Sequence, residues 1–156
     1  MSRCALYRSI SGSWRTSCGA ETIAAPRAAQ HLFPNKKVLI INGDGAFGLN
    51  GFEFDTAIRF NLPIVSIVGN DAGWGNIRVI QQQMLGEDRA IATSLAPTRY
   101  DKIVEAFGGY GELVEKPADI RPALERAFAS GKPACINITL DPKGLAKTAP
   151  NMAYIM

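Results

Sequence analysis

The chain has 156 residues, of which 47% are hydrophobic and 20% are charged, and this composition fits one globular domain with enough chain to bury a core. No stretch approaches the roughly 20 apolar residues that a membrane-spanning helix needs. The net charge of +3 comes from three arginines within the first 20 residues, and the neutral remainder, which has no basic stripe, argues against nucleic acid as the main partner.

Residues 1–30 differ in composition from the rest of the chain. They are rich in Ser and Arg, contain no acid before Glu21 and show no hydrophobic period, as in an organellar transit peptide. A fortuitous start on a truncated reading frame fits equally well. We expect poor order in this leader, a domain over residues 31–141 and a tail over residues 142–156. The expected compartment is the cytoplasm, or an organelle if residues 1–20 are a transit peptide.

From Lys36 onward, strand and helix patterns alternate. Short apolar runs predict strands at residues 37–42, 63–69, 111–115 and 134–140. Helical patterns occupy residues 50–60, 76–84, 98–107 and 120–130. The stretch between the second helix and the third has no period and is interpreted as a surface loop. Such alternation predicts an α/β fold, a parallel sheet with helices on both faces.

Several single residues carry specific predictions. Asn50, the pair Thr98 and Asp101, and Asp119 are predicted to cap the starts of three helices. The three cysteines show neither a disulfide framework nor zinc-ligand spacing. Cys135, inside the last strand, is predicted to be a small buried apolar residue.

The segment "INGDGAFGLNG" (41–51) follows the first predicted strand. Gly43, Gly45 and Gly48 spell G-x-G-x-x-G, the turn of a dinucleotide-binding site, and Asp71 could then bind a ribose hydroxyl. Asp44 opposes this interpretation, because its carboxylate would face a diphosphate. Two like charges about 4 Å apart repel by roughly 4 kcal/mol at an effective dielectric constant of 20.

A metal site accounts for both acids. Asp44 and Asp71 each follow a predicted strand, and one βαβ unit of about 30 residues separates them. Ligands gather beyond the carboxyl ends of parallel strands, so the two acids are expected to face each other there. Mg²⁺ takes about six oxygens and commonly uses one or two carboxylates plus substrate phosphates. A backbone carbonyl from the turn "NDAGWG" would add a further ligand, and the helix after Asn50 would direct its positive end at the phosphates.

The segments "GDGAFG" and "EFDTAIRFNLPIVSIVGNDAGWG" resemble the thiamine diphosphate (ThDP) motif, G-D-G followed one βαβ unit later by N-N or N-D. The similarity extends from about Ala28 to Asp141. It is to the C-terminal, diphosphate-binding domain of the acetolactate synthase-like group, which includes benzaldehyde lyase and the 2-hydroxyacyl-CoA lyases. The resemblance implies a Rossmann-like three-layer domain that binds ThDP and Mg²⁺. It also implies a carboligase or decarboxylase chemistry, with cleavage or formation of a C–C bond in 2-keto acids or 2-hydroxyacyl compounds.

The resemblance assigns roles to individual positions, none of them a catalytic side chain. The side chains of Asp44 and Asp71 and the carbonyl of Gly73 would be Mg²⁺ ligands. The residues that would line the diphosphate are Gly43, Gly45, Ala46 and Asn70. Trp74 and Gly75 would flank the cofactor further in. The second carboxylate departs from many members of the group, which have Asn where this chain has Asp71.

Two features of the group are missing from this sequence. Its enzymes activate the cofactor with a glutamate on a separate pyrimidine-binding domain, and nothing here resembles that domain. A Gly-rich turn before the G-D-G strand is replaced by "TSCGAETIAAP". We therefore expect the chain to act in a homo- or hetero-oligomer, with a pyrimidine-binding domain from another chain or a missing segment. The alternatives are a non-catalytic fragment that keeps the fold and an NAD-dependent dehydrogenase.

Overall fold

A computed structural model describes residues 23–144. The helices are α1 (Ala24–Leu32), α2 (Asp44–Asn50), α3 (Glu53–Arg59), α4 (Gly75–Leu85), α5 (Tyr100–Ala106) and α6 (Ile120–Ala129). The strands are β1 (Leu39–Gly43), β2 (Val65–Asn70), β3 (Tyr110–Val114) and β4 (Ala134–Thr139). Single turns of 3₁₀ helix lie at Glu87–Arg89 and Pro117–Asp119. Across the described range, every helix is too short or too polar to cross a membrane.

The four strands form one sheet in the order β1-β2-β4-β3, and every pairing is parallel. Gly43 at the end of β1 is in register with Gly69 near the end of β2. The segments that follow these two strands therefore begin side by side at the carboxyl edge of the sheet. The predicted α/β fold with a parallel sheet is confirmed.

Two apolar clusters cover the two faces of the sheet, because successive strand residues point to opposite sides. On the first face, Val68 and Cys135 pack with residues of α1, α2, α3 and α5. On the second face, Val65 and Ile136 pack with residues of α6. Cys135 is fully buried, as predicted, and burial raises the pKa of its thiol.

The predicted helix over residues 50–60 is wrong in its start, because two short helices replace it. α2 begins at Asp44 despite the glycines of this segment. The buried ring of Phe47 explains the early start, since it lies 5.6 Å from the ring of Phe54 and 5.1 Å from that of Tyr100. Tertiary packing thus overrides weak helix propensity. Asn50 ends α2 instead of capping a helix, and both polar atoms of its carboxamide are buried without a hydrogen-bond partner.

The other two predicted side-chain caps are also wrong. Neither α5 nor α6 has a side-chain hydrogen bond at its N-terminus. Asp101 turns instead toward Arg99 and Asn137. The hydroxyl of Thr98 donates to the carbonyl of Ala96.

Helix α1 spans the boundary that was predicted between the leader and the domain. The boundary after residue 30 falls inside this helix, and Ile23, Ala29 and Gln30 are buried. An amphipathic pattern is difficult to recognise in "IAAPRAAQHL", because alanine occupies four of its ten positions. Residues 1–22 of the predicted leader and residues 145–156 of the predicted tail lie outside the described residues.

Candidate functional site

The structure brings the two predicted carboxylates together at the carboxyl edge of the sheet. Asp44 directly follows β1, and Asp71 directly follows β2. Burial raises the pKa of the Asp44 carboxyl above its ordinary value, hydrogen bonds from backbone N–H groups oppose this, and the nearby Asp71 carboxylate raises the pKa further. The two acids therefore interact, and a cation between them would relieve their repulsion.

Asp44 is held by backbone donors. Its Oδ1 accepts a hydrogen bond from the N–H of Gly45 at 2.8 Å, and its Oδ2 accepts one from the N–H of Gly73 at 2.9 Å. The residue is 1% exposed. One buried side chain thus joins the turn after β1 to the turn after β2.

Asp71 is held by a side chain instead. Its Oδ2 accepts a hydrogen bond from Nη2 of Arg78 at 2.7 Å. The carboxylate also lies against the first residue of α4, where a Cβ on Gly75 would come within 2.5 Å of Oδ2. Negative charge is favourable at this end of a helix, which helps to explain why Asp71 lies there.

Three of the predicted glycines stand where a side chain does not fit. A Cβ on Gly45 would come within 2.8 Å of the Trp74 ring, and one on Gly73 within 2.7 Å of Nη1 of Arg78. Gly75 meets Asp71 as described above. Gly43, by contrast, has open space around it at the end of β1.

The remaining predicted positions lie on the same edge. Ala46 is half-buried in the first turn of α2, and Trp74 immediately precedes α4. The side chain of Asn70 turns inward: its Nδ2 donates to the carbonyl of Thr98 at 2.9 Å and to Oδ1 of Asn137 at 3.2 Å. The Asn70 carboxamide is therefore committed to protein partners, and any contact of this residue with a diphosphate would come from its backbone.

Sequence reasoning missed the support behind the second turn. The loop after α4 is joined to this turn by two backbone bonds, from the N–H of Trp74 to the carbonyl of Thr93 and from the N–H of Leu95 to the carbonyl of Ala72, both 2.8 Å long. Asn137 donates to Oδ1 of Asp101 at 3.1 Å. These partners are distant in sequence, so no local pattern reveals them.

Arg78 is the missed residue that touches the site itself. A signal for it existed, because a basic residue in the first turns of the helix after "ND" can reach back to the carboxylate. Within residues 23–144, no group of three or more His, Cys, Asp or Glu side chains gathers as a metal centre. A metal at this edge would therefore need backbone and ligand oxygens beside the two carboxylates.

A separate cleft of about 330 Å³ lies at the opposite edge of the sheet. Its lining comes from the ends of α1 and α3, which precede β1 and β2: Gln30, His31, Pro34, Phe60, Asn61, Leu62 and Pro63. His31, the one histidine of the chain, is thus remote from the carboxylate pair.

Residues 7–138 match the model of the family described as "Thiamine pyrophosphate enzyme, C-terminal TPP binding domain". The chain belongs to this family. Thiamine pyrophosphate is another name for ThDP, so the predicted resemblance is confirmed. The matched range begins well before Ala28, where the motifs placed the start of the resemblance.

Relatives of the family domain bear names from the predicted group. A "Probable acetolactate synthase" from Mycobacterium bovis is 45% identical over 127 residues, which cover 81% of this chain and 23% of that protein. A "2-hydroxyacyl-CoA lyase" from Arabidopsis thaliana is 38% identical over 119 residues, which cover 74% of this chain and 21% of that protein. A "2-hydroxyacyl-CoA lyase 2" from Caenorhabditis elegans is 41% identical over 103 residues, which cover 65% of this chain and 16% of that protein. The chain therefore spans less than a quarter of the length of these curated relatives.

Proposed function

We propose that the chain binds Mg²⁺ and ThDP as the diphosphate-binding domain of an enzyme that cleaves or forms C–C bonds. The observation that supports the metal most directly is the pair Asp44 and Asp71 at adjacent strand ends, where burial and, after it, the charge of Asp71 raise the pKa of the Asp44 carboxyl. Hard carboxylate oxygens are the donors that Mg²⁺ prefers. The donor set therefore fits the ion.

Each predicted site residue has a role in this proposal. The side chains of Asp44 and Asp71 and the carbonyl of Gly73 hold the metal. The residues around the diphosphate are Gly43, Gly45, Ala46 and Asn70. Trp74 and Gly75 flank the cofactor further in. When bound, ThDP supplies the nucleophile for the bond chemistry, and the protein anchors and orients it.

The same geometry weighs against the NAD-dependent dehydrogenase. A dinucleotide-binding turn offers backbone N–H groups to the pyrophosphate. Here the turn also carries the Asp44 carboxylate, which accepts the N–H of Gly45. The carboxylate is also buried against the turn, where a diphosphate without a metal would meet its charge.

We propose further that catalysis needs a pyrimidine-binding domain from another chain or segment, in a homo- or hetero-oligomer. The supporting fact is the share of the relatives that the chain covers, 16% to 23% in the three comparisons above. Exposed apolar side chains on the segment that follows β1 also support a partner surface: Leu49 on α2 is 59% exposed, and Phe52 before α3 is 76% exposed. The proposed substrates are 2-keto acids or 2-hydroxyacyl compounds, by likeness to the names of the relatives.

Thermal unfolding of the 156-residue chain tests the binding proposal. A ligand present at 100 times its Kd stabilises the folded state by about 2.7 kcal/mol. For a chain of this size, this corresponds to a Tm increase on the order of 5–10 °C. We expect this increase with Mg²⁺ plus ThDP, and its loss when EDTA replaces Mg²⁺. No increase at saturating ligand, or an equal increase with NAD and EDTA, would overturn the proposal.

A further inference from the structure

A positively charged side chain contacts one member of the carboxylate pair. The Nη2 atom of Arg78 lies 2.7 Å from Oδ2 of Asp71. The two side chains are only 17% and 20% exposed. Solvent screens such a pair less than it screens an ion pair on the open surface, so the guanidinium contributes substantially to the local charge.

The position of Arg78 is fixed from two further sides. Its Nη1 would lie only 2.7 Å from a Cβ on Gly73, so the absence of a side chain at Gly73 makes room for the guanidinium. Its Nη2 also donates to the carbonyl of Pro142 at 3.3 Å. The guanidinium therefore lies across the turn whose carbonyl is a proposed metal ligand.

Arg78 partly offsets the charge of the two carboxylates. Asp44 and Asp71 together carry two negative charges, and Arg78 reduces the local sum to one. We propose that Arg78 is the built-in counter-cation of this site: it neutralises Asp71 while the metal is absent and competes with the metal for that carboxylate. This inference rests on the proposed metal site.

Removal of the guanidinium should have two opposite effects. In the metal-free protein, Arg78→Gln leaves the two carboxylates without their cation, and we expect Tm to fall by about 2–4 °C. Mg²⁺ alone should then bind roughly 10-fold more tightly, because it no longer shares Asp71 with a positive group. Thermal unfolding and calorimetric titration of the full chain with Mg²⁺ alone measure the two effects.

Two further variants separate charge from structure. The double variant Asp71→Asn/Arg78→Gln restores the local sum of one negative charge, so we expect its Tm and its Mg²⁺ affinity to return toward the wild-type values. If Arg78 only anchors Pro142, the double variant will remain as unstable as Arg78→Gln. Arg59→Gln is the matched control, because it breaks a pair of similar length, 2.8 Å, that is exposed on α3. We expect no change in Mg²⁺ affinity from this control.

The two measurements distinguish failure of the inference about Arg78 from failure of the proposed metal site. If wild type binds Mg²⁺ and Arg78→Gln binds it equally or more weakly, the inference is wrong and the proposed metal site survives. If the wild-type chain shows no response to Mg²⁺ in either measurement, the metal site and the inference fall together.

Discussion

The turn after β1 and the turn after β2 each place an aspartate at the same edge, but they hold it in different ways. Asp44 is 1% exposed, and both of its oxygens accept backbone N–H groups. Asp71 has a side chain that is 20% exposed, and its partner is the long side chain of Arg78. Backbone donors move only with the fold, whereas a side-chain donor can rotate away. The Asp44 carboxylate is therefore the fixed half of the candidate site, and the Asp71 carboxylate is the adjustable half.

The largest expected effect comes from the fixed half. Asp44→Asn removes the buried charge, and we expect the Tm increase with Mg²⁺ plus ThDP to disappear. Circular dichroism must show that the variant remains folded. Asp55→Asn is the control, because Asp55 is an exposed acid paired with Arg59 on α3. An undiminished response to the ligands in folded Asp44→Asn would show that this carboxylate holds no metal.

A smaller effect is expected from steric crowding between the two turns. Gly45→Ala would place a methyl group 2.8 Å from the Trp74 ring, and such overpacking costs about 1–3 kcal/mol. Gly48→Ala, three residues later in the same helix, meets open space and should stabilise the chain by roughly 0.5–1 kcal/mol. Chemical denaturation compares the two variants. Equal stability changes would mean that Gly45 is not a close-contact position.

The smallest effect concerns the polar network behind the adjustable half. Burial raises the pKa of the Asp101 carboxyl, but hydrogen bonds from Arg99 and Asn137 lower it more, so the folded-state pKa lies below the ordinary value. A lowered pKa means that the charged form stabilises the fold above the unfolded pKa of about 3.9, and that this contribution is lost as the pH falls through the folded pKa.

Asp101→Asn should therefore lower the free energy of unfolding by about 1 kcal/mol near pH 7, the net contribution of a typical buried hydrogen bond. The difference from wild type should vanish as the pH falls well below 4. Denaturation curves at several pH values measure it. A difference that persists unchanged in acid would contradict the role given to the Asp101 charge.

Periodicity predicted the strands well because each contains a short apolar run, and the central strands β2 and β4 carry most of the buried strand residues. Each observed boundary lies within two residues of the prediction. The start of α2 could not be predicted in the same way, since Phe47 owes its burial to Phe54 and Tyr100. The meeting of Asp44 with Asp71 followed from parallel strand order alone. The inward turn of Asn70 did not, because its side-chain partner Asn137 lies 67 residues away.

Ala72 stands between Asp71 and Gly73 with a φ of 51°, in the left-handed region that residues with a Cβ rarely adopt. Asn70 holds it there by accepting its N–H, and Leu95 donates to its carbonyl. The backbone of the second turn is consequently held in shape by hydrogen bonds within the protein. An ion or phosphate that binds there does not have to order this segment, so the associated loss of entropy is already part of folding.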